Sequence, residues 1–342
     1  LILDEPTAAL TGPQVDQLFE QIERLKRTGV AVIYVSHRME EIRRVGDRAT
    51  VLRDGRLVHT GPVADLSVDR IVQLMVGRET IEEAQPQAHR PGRVAMRVEK
   101  LNRGAAVRDV SFEVRAGEVL GIAGLIGAGR TELLRAIFGA DRAESGGVCL
   151  GDDTTPRRFK EPRQAVRAGL AMIPEDRKQH GLLLPQPVRT NITLGRLRQY
   201  AGRWTGWVRR GPERAAVERQ VRARDVQCES IEQPLDQLSG GNQQKVVIAR
   251  WLLHGAQVML FDEPTRGIDV GAKAAIYRLL NDLARQGGAL VVVSSDLREL
   301  MDICDRIAVM SAGRLVETLD RDAFSRERIM AASIRGYLQE RS

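Results

Sequence analysis

The sequence predicts an α/β protein built on a mainly parallel sheet, and three observations carry that expectation. "GEVLGIAG" is an apolar strand that runs into the glycine-rich turn "GLIGAGRT", which opens an apolar-periodic helix, "TELLRAIFG", closed by Gly139. "QVMLFDEP" and "ALVVVSS" are continuous apolar runs of strand length beside helical pattern, as strands buried on both faces require. The third observation is a repeat: "LILDEPTAAL" returns as "MLFDEPTRGI", with Asp4 matched to Asp262 at an offset of 258 residues.

The register of the repeat then holds without a gap. "VSHRMEEI" meets "VSSDLREL", and "DRATVLRDGRLVHT" meets "DRIAVMSAGRLVET". Two copies of one domain are the simplest account. Residues 1–78 are expected to be the back part of the first copy, lacking everything before its acidic strand, in a chain that reads as a piece of something larger. The stretch "ETIEEAQPQAHRPGR" at 79–93 is polar, holds two prolines and has no apolar periodicity, so it reads as a linker. A complete second copy is expected over 94–342. It begins with "VAMRVEKL" and "VSFEV", which alternate as half-buried strands do. Residues 176–250 are richer in arginine and helical pattern and predict a helical subdomain inserted in the α/β frame.

Composition narrows the class. With 342 residues, 43% of them hydrophobic, the chain can fill the cores of two or three domains. Its longest apolar runs fall well short of the roughly 20 residues that span a bilayer. Cys149, Cys228 and Cys304 are too far apart for metal-ligand clustering and read as buried, reduced thiols. A net charge of +7 admits nucleic acid or an anionic membrane surface as a partner, but the arginines are spread along the chain. Their densest zone, 196–224, carries Trp204 and Trp207, which could stack bases. A solvated helical face beside a membrane partner is the favoured reading of that zone.

Three motifs point to nucleotide chemistry. "GLIGAGRT" matches G-x-x-x-x-G-K-[ST] at every fixed position but one, where Arg130 stands for lysine. Placed between a strand and a helix, Gly124, Gly127, Ala128, Gly129, Arg130 and Thr131 can aim backbone N–H groups at phosphate, and Thr131 offers a hydroxyl to Mg²⁺. A tight turn with no ligand is the plainer alternative for this piece alone. In "VMLFDEPT", Asp262 and Glu263 lie at the carboxyl end of a strand, where open α/β sheets bind ligands. Asp262 is suited to hold a metal through water and Glu263 to polarise an attacking water. Finally, "LSGGNQQKVVIARWLL" sets Ser239, Gly240 and Gly241 at the head of a long helix, an anion site, with Val246, Val247, Ala249, Leu252 and Leu253 facing a core.

Together, "GLIGAGRTELLRAIFGAD", "IPEDRKQHGLL", "LSGGNQQKVVIARWL" and "DEPTRGIDVGAK" resemble the second cassette of bacterial monosaccharide import ATPases of the ribose, xylose and galactose type. The resemblance implies a phosphate-loop cassette with a mixed, mainly parallel sheet, an antiparallel β subdomain and a helical subdomain. It implies ATP and Mg²⁺ as ligands. Integral-membrane permease subunits are the implied partners, with a periplasmic sugar-binding protein acting indirectly, and the place implied is the cytoplasmic face of the inner membrane. In such proteins two cassettes pair head to tail, and ATP lies between one phosphate loop and the other copy's glycine-headed helix. Carried over by motif, Asp4, Glu5 and His37 are the first copy's metal-binding acid, catalytic glutamate and switch histidine, matched by Asp262, Glu263 and Ser295 in the second. Ser239, Gly240, Gly241, Asn242 and Gln243 form the signature segment, and Asp269 the loop between cassettes, with Thr11 as its counterpart.

Departures from the pattern gather in one composite site. Arg130 replaces lysine, Ser295 replaces histidine, and Glu175 stands where a glutamine links metal, water and membrane partner. "LNRGAAVRDV" also lacks a tyrosine to stack on adenine. A planar guanidinium binds phosphate but sits differently from an ammonium, so binding is expected to survive better than turnover. The rival readings are a cassette ATPase acting on nucleic acid or ribosomes, and a truncated, nonfunctional product. No long coiled-coil or basic insertion supports the former, and no nucleic-acid partner is expected.

Overall fold

The structure, a computed structural model, describes residues 1–7, 10, 12–36, 39–53, 56–67, 70–71, 74, 91–202, 207–268 and 270–339. The chain divides into two compact units: residues 1–84 with 269–275, and residues 85–268 with 276–342. Of the expected linker, residues 79–90 lie outside the described residues.

In the smaller unit, β1 (Ile2–Asp4) pairs in parallel with β2 (Ile33–Val35), and the helix Gly12–Arg27 makes the crossover that parallel pairing demands. That helix buries Phe19 and Ile22 against Val45 and carries Arg24, Lys26 and Arg27 in its last turn, where positive charge meets the negative end of the helix dipole. The hairpin of β3 (Arg48–Arg53) and β4 (Arg56–Pro62) follows the helix Met39–Val45, with a register shift between Val51 and Leu52. Met39, Ala49, Val51, Val63, Leu66 and Ile71 close a small core.

In chain order the larger unit runs β5 (Val94–Arg103), β6 (Val107–Arg115), β7 (Val119–Gly124), β8 (Ser145–Leu150), β9 (Leu170–Ile173), β10 (Val258–Asp262), β11 (Ala289–Val293), β12 (Arg306–Ser311) and β13 (Arg314–Asp320). Its main sheet has the order β13-β12-β7-β11-β10-β9, all parallel except β13, which is antiparallel to β12. Every residue of β10 and β11 is buried, which explains why the two strands read as unbroken apolar runs. A second sheet, β6-β5-β8, is antiparallel throughout, and β5 alternates between buried and more exposed positions as its sequence predicts. The helix Arg130–Phe138 leaves β7 through the glycine loop and ends at Gly139, whose φ of 74° supplies the left-handed cap. Leu133, Leu134 and Ile137 on that helix join Ile122, Leu260 and Val291 in the main core, each contributing about 2 kcal/mol of burial.

Between β9 and β10 the chain is helical, as expected: Val188–Thr193, Leu197–Tyr200, Arg210–Ala223 and Gly240–Leu253. Buried Glu213 ties two of these helices together, accepting from Arg189 Nη1 at 3.0 Å and from Thr193 Oγ1 at 2.8 Å. The helix Gly240–Leu253 buries Val246, Val247, Ile248 and Ala249 on all sides, so it shows little amphipathic pattern. Leu252 and Leu253, in its last turn, are partly buried. Among the described residues, no helix is long and apolar enough to cross a membrane.

At the same offset of 258, β1 and β2 match β10 and β11 in register (Asp4↔Val35, Asp262↔Val293), and the bulge of the first hairpin recurs between Val309 and Met310.

Candidate functional site

The glycine loop leaves the centre of the sheet, where β7 lies between β11 and β12. Its shape is set by close backbone approach. A Cβ on Gly129, at φ 97°, would collide with the Ala106 carbonyl, whereas the space beside Gly127, at φ 82°, is open. Ala128 is fully buried, and its N–H is already spent on the Leu125 carbonyl at 3.0 Å, so it is not available to a phosphate. Ile126 stands at the tip of the loop, 93% exposed.

Arg130 and Thr131, the first residues of the following helix, turn toward β10, two strands away. Thr131 Oγ1 donates to Asp262 Oδ1 at 3.1 Å. Arg130 is buried: its Nη1 donates to the Ser294 carbonyl at 2.5 Å, and its Nη2 lies 3.9 Å from Glu263 Oε1. Ser295 Oγ in turn donates to Glu263 Oε2 at 3.1 Å. Five expected residues, Arg130, Thr131, Asp262, Glu263 and Ser295, therefore form one contact chain. Asp262 is 1% exposed, and burial, opposed by the Thr131 hydroxyl and helped by the neighbouring Glu263 charge, lifts its carboxyl to about 6. Two hard oxygen donors side by side suit Mg²⁺, which keeps most of its ligands as water and phosphate.

Glu263 has a left-handed backbone, φ 48°, directly before a proline, a conformation that costs a non-glycine residue of order 1–3 kcal/mol. Glu5 repeats it in the smaller unit at φ 42°, and each N–H donates across the strand end, Glu5 to Val35 and Glu263 to Val293, at 2.9 Å in both. Asp4 ends β1 as Asp262 ends β10. His37, Thr11 and Asp269 lie outside the described residues.

Ser239 caps the helix Gly240–Leu253, its Oγ accepting from Asn242 N–H at 3.5 Å and from Asn242 Nδ2 at 3.1 Å. Asn242 Oδ1 also accepts from Gln227 N–H at 2.9 Å. Gln243 turns inward, donating to the carbonyls of Leu235 and Leu238, which pins the approach to the helix. Ser239 is exposed at this terminus, while Gly241 is buried and the Gln243 N–H donates to the Ser239 carbonyl at 2.9 Å. Gly240 has a packing reason of its own: a Cβ there would lie 2.7 Å from Arg177 Nη2. Buried Arg177 donates to the carbonyls of Arg266 and Gly267, and Glu175 is ion-paired with Arg266, so the "IPEDR" segment is tied to the turn after the acidic pair.

Two buried glutamates, Glu41 and Glu299, escaped the sequence reading. They are nonetheless identical across the aligned repeat, as are Ser36/Ser294 and Thr7/Thr265, and that identity is the signal that could have found them.

Loop, acidic strand end and glycine-headed helix occur here in the arrangement of an ATP-binding cassette. A model of the ABC transporter family matches residues 107–266. The ribose import ATP-binding protein RbsA 3 of Rubrobacter xylanophilus is 48% identical over 332 residues, 97% of this chain and 66% of that protein. RbsA of Geobacillus kaustophilus, also a ribose import ATP-binding protein, is 46% identical over 336 residues, 98% of this chain and 67% of its own length. The chain spans about two thirds of the length of the curated relatives it matches. A nucleotide-free ATP-binding cassette from an ABC transporter superposes with a TM-score of 0.59 at 20% identity, covering 70% of this chain and 98% of that one. The chain belongs to the ABC transporter family.

Proposed function

We propose that this chain binds and hydrolyses ATP as the cytoplasmic, peripheral subunit of an importer that carries a monosaccharide across the bacterial inner membrane. The observation that carries the chemistry is the contact chain joining Thr131 and Arg130 of the phosphate loop to Asp262, Glu263 and Ser295. The sugar class rests on the ribose import names of the relatives. Integral-membrane permease subunits, with a periplasmic sugar-binding protein beyond them, are the partners this reading requires.

In this reading the loop N–H groups and Arg130 hold the phosphates, and Thr131 and Asp262 hold Mg²⁺. When bound, the cation neutralises charge on the phosphate oxygens. Glu263 orients the attacking water, with Ser295 fixing one of its oxygens. The helix headed by Ser239, Gly240 and Gly241 closes over the terminal phosphate of an ATP held by an opposite cassette. We assign residues 1–78 to the first cassette, 79–93 to the linker and 94–342 to the second. Exposure supports the first assignment: Ile2, Ile33 and Val35 are 71%, 60% and 46% exposed, while their counterparts Leu260, Val291 and Val293 are buried in the larger sheet. Asp4, Glu5 and His37 are then the hydrolytic set. The Arg130 site is mainly a clamp, because a guanidinium and a serine stand where the family has lysine and histidine.

The test compares Glu5→Gln with Glu263→Gln in the assembled transporter. Glu5→Gln is expected to lower ATP turnover about 100-fold or more and Glu263→Gln less than about tenfold. Equal losses contradict the asymmetry.

A further inference from the structure

We infer that Glu41 and Glu299 are positioning residues, each clamping the turn that carries the catalytic glutamate to the switch segment opposite it. In the larger unit, Glu299 Oε1 accepts from Thr265 Oγ1 at 2.8 Å and Oε2 accepts from Ser294 Oγ at 2.5 Å. All three side chains are buried, Glu299 being 2% exposed. The two serine and threonine positions are the informative ones. Thr265 lies two residues beyond Glu263, in a turn closed by the Arg266 N–H on the Glu263 carbonyl at 3.1 Å. Ser294 immediately precedes Ser295, the residue that holds Glu263 Oε2, and its carbonyl receives Arg130. One carboxylate, with its two oxygens at a fixed spacing, therefore sets how far the general base stands from the switch side chain.

The smaller unit makes the same assignment of oxygens. Glu41 Oε1 accepts from Thr7 Oγ1 at 2.6 Å, and Oε2 accepts from Ser36 Oγ at 2.9 Å, with Tyr34 OH also donating to Oε2 at 2.9 Å. The residue after the serine differs between the copies, His37 in one and Ser295 in the other. The clamp is thus matched to the placement of the switch residue rather than to its chemistry. A buried carboxyl group whose two oxygens each accept from a hydroxyl on a different segment is held in one orientation and serves as a fixed strut.

The inference rests on the reading that the Asp4–Glu5 pair is the hydrolytic one, so the experiment carries Glu5→Gln as its control. In the assembled transporter, Glu41→Gln and Thr7→Val are expected to lower kcat for ATP about tenfold or more, with KM unchanged within about twofold and Thr7→Ser restoring the rate. A purely structural role would lower the melting temperature of Thr7→Val without moving kcat. Because Glu41→Gln can fail to fold, the Thr7 pair decides. Loss of turnover in Glu5→Gln together with an unchanged kcat in Thr7→Val overturns the clamp, as does equal loss in Thr7→Ser and Thr7→Val. If Glu5→Gln keeps its turnover, the asymmetric reading is wrong, and the clamp stands or falls on the same kcat comparison at Thr265 and Glu299.

Discussion

Replacing Asp262 by Asn is expected to stabilise the ligand-free chain at alkaline pH and to change little in acid. Asp262 is 1% exposed, and burial is the main reason its carboxyl is lifted from 3.8 to about 6. In the unfolded chain the group ionises near 3.9. A carboxyl raised in this way favours the fold fully below about pH 4, and that contribution is lost as the pH climbs through about 6. The gap of about 2 pH units, at 1.36 kcal/mol each, makes the ionised side chain a penalty of roughly 3 kcal/mol at neutral pH and above. Asn keeps a carbonyl oxygen for the Thr131 hydroxyl and carries no charge, so it should recover about 1–3 kcal/mol. Urea unfolding midpoints near pH 8 and near pH 3.5 measure the effect, and the melting temperature should rise by about 2–4 °C per kcal/mol at the higher pH. A gain of the same size at both pH values, or a loss near pH 8, would refute burial as the cause. Saturating Mg-ATP should narrow the difference, because the cation favours the charged side chain that only the wild type has.

Two further outcomes follow from the geometry. Gly129→Ala places a methyl group against the Ala106 carbonyl on a backbone at φ 97°, so the loop must deform; titration with a fluorescent ATP analogue should show affinity reduced by about tenfold or more while helix content is kept. Glu213→Ala removes the buried acceptor of Arg189 and Thr193, and about 3 kcal/mol of unfolding free energy should be lost in denaturant titration.

The parts of the fold that were legible in sequence are those where one force dominates. β10 and β11 are apolar throughout because both of their faces are covered, and Gly139 ends its helix because a left-handed residue is needed there. The acidic pair and the glycine loop are common features taken singly, and it was their order along the chain, together with the glycine-headed helix, that pointed to one site. Contacts made through long-range packing were not readable. Nothing local announces that Gln243 turns inward, that Ala128 spends its N–H within the loop, or that Gly240 makes room for Arg177. The glutamate clamp was written in the repeat as identical residues, but polar identities inside a helix and a loop look like ordinary surface until their burial is known.

Glu5 and Glu263, each twisted to positive φ before a proline, have a consequence for how the two halves differ. Torsional strain at those positions burdens the fold whether or not nucleotide is present, and a glycine would relieve it at once. The second half carries its glutamate in the same posture as the first, so under the proposed function the turn that would present a water-activating carboxylate is kept in both. The departures of the second half lie in its side chains, Arg130, Glu175 and Ser295 and the missing tyrosine, and not in this turn of backbone, which both halves share.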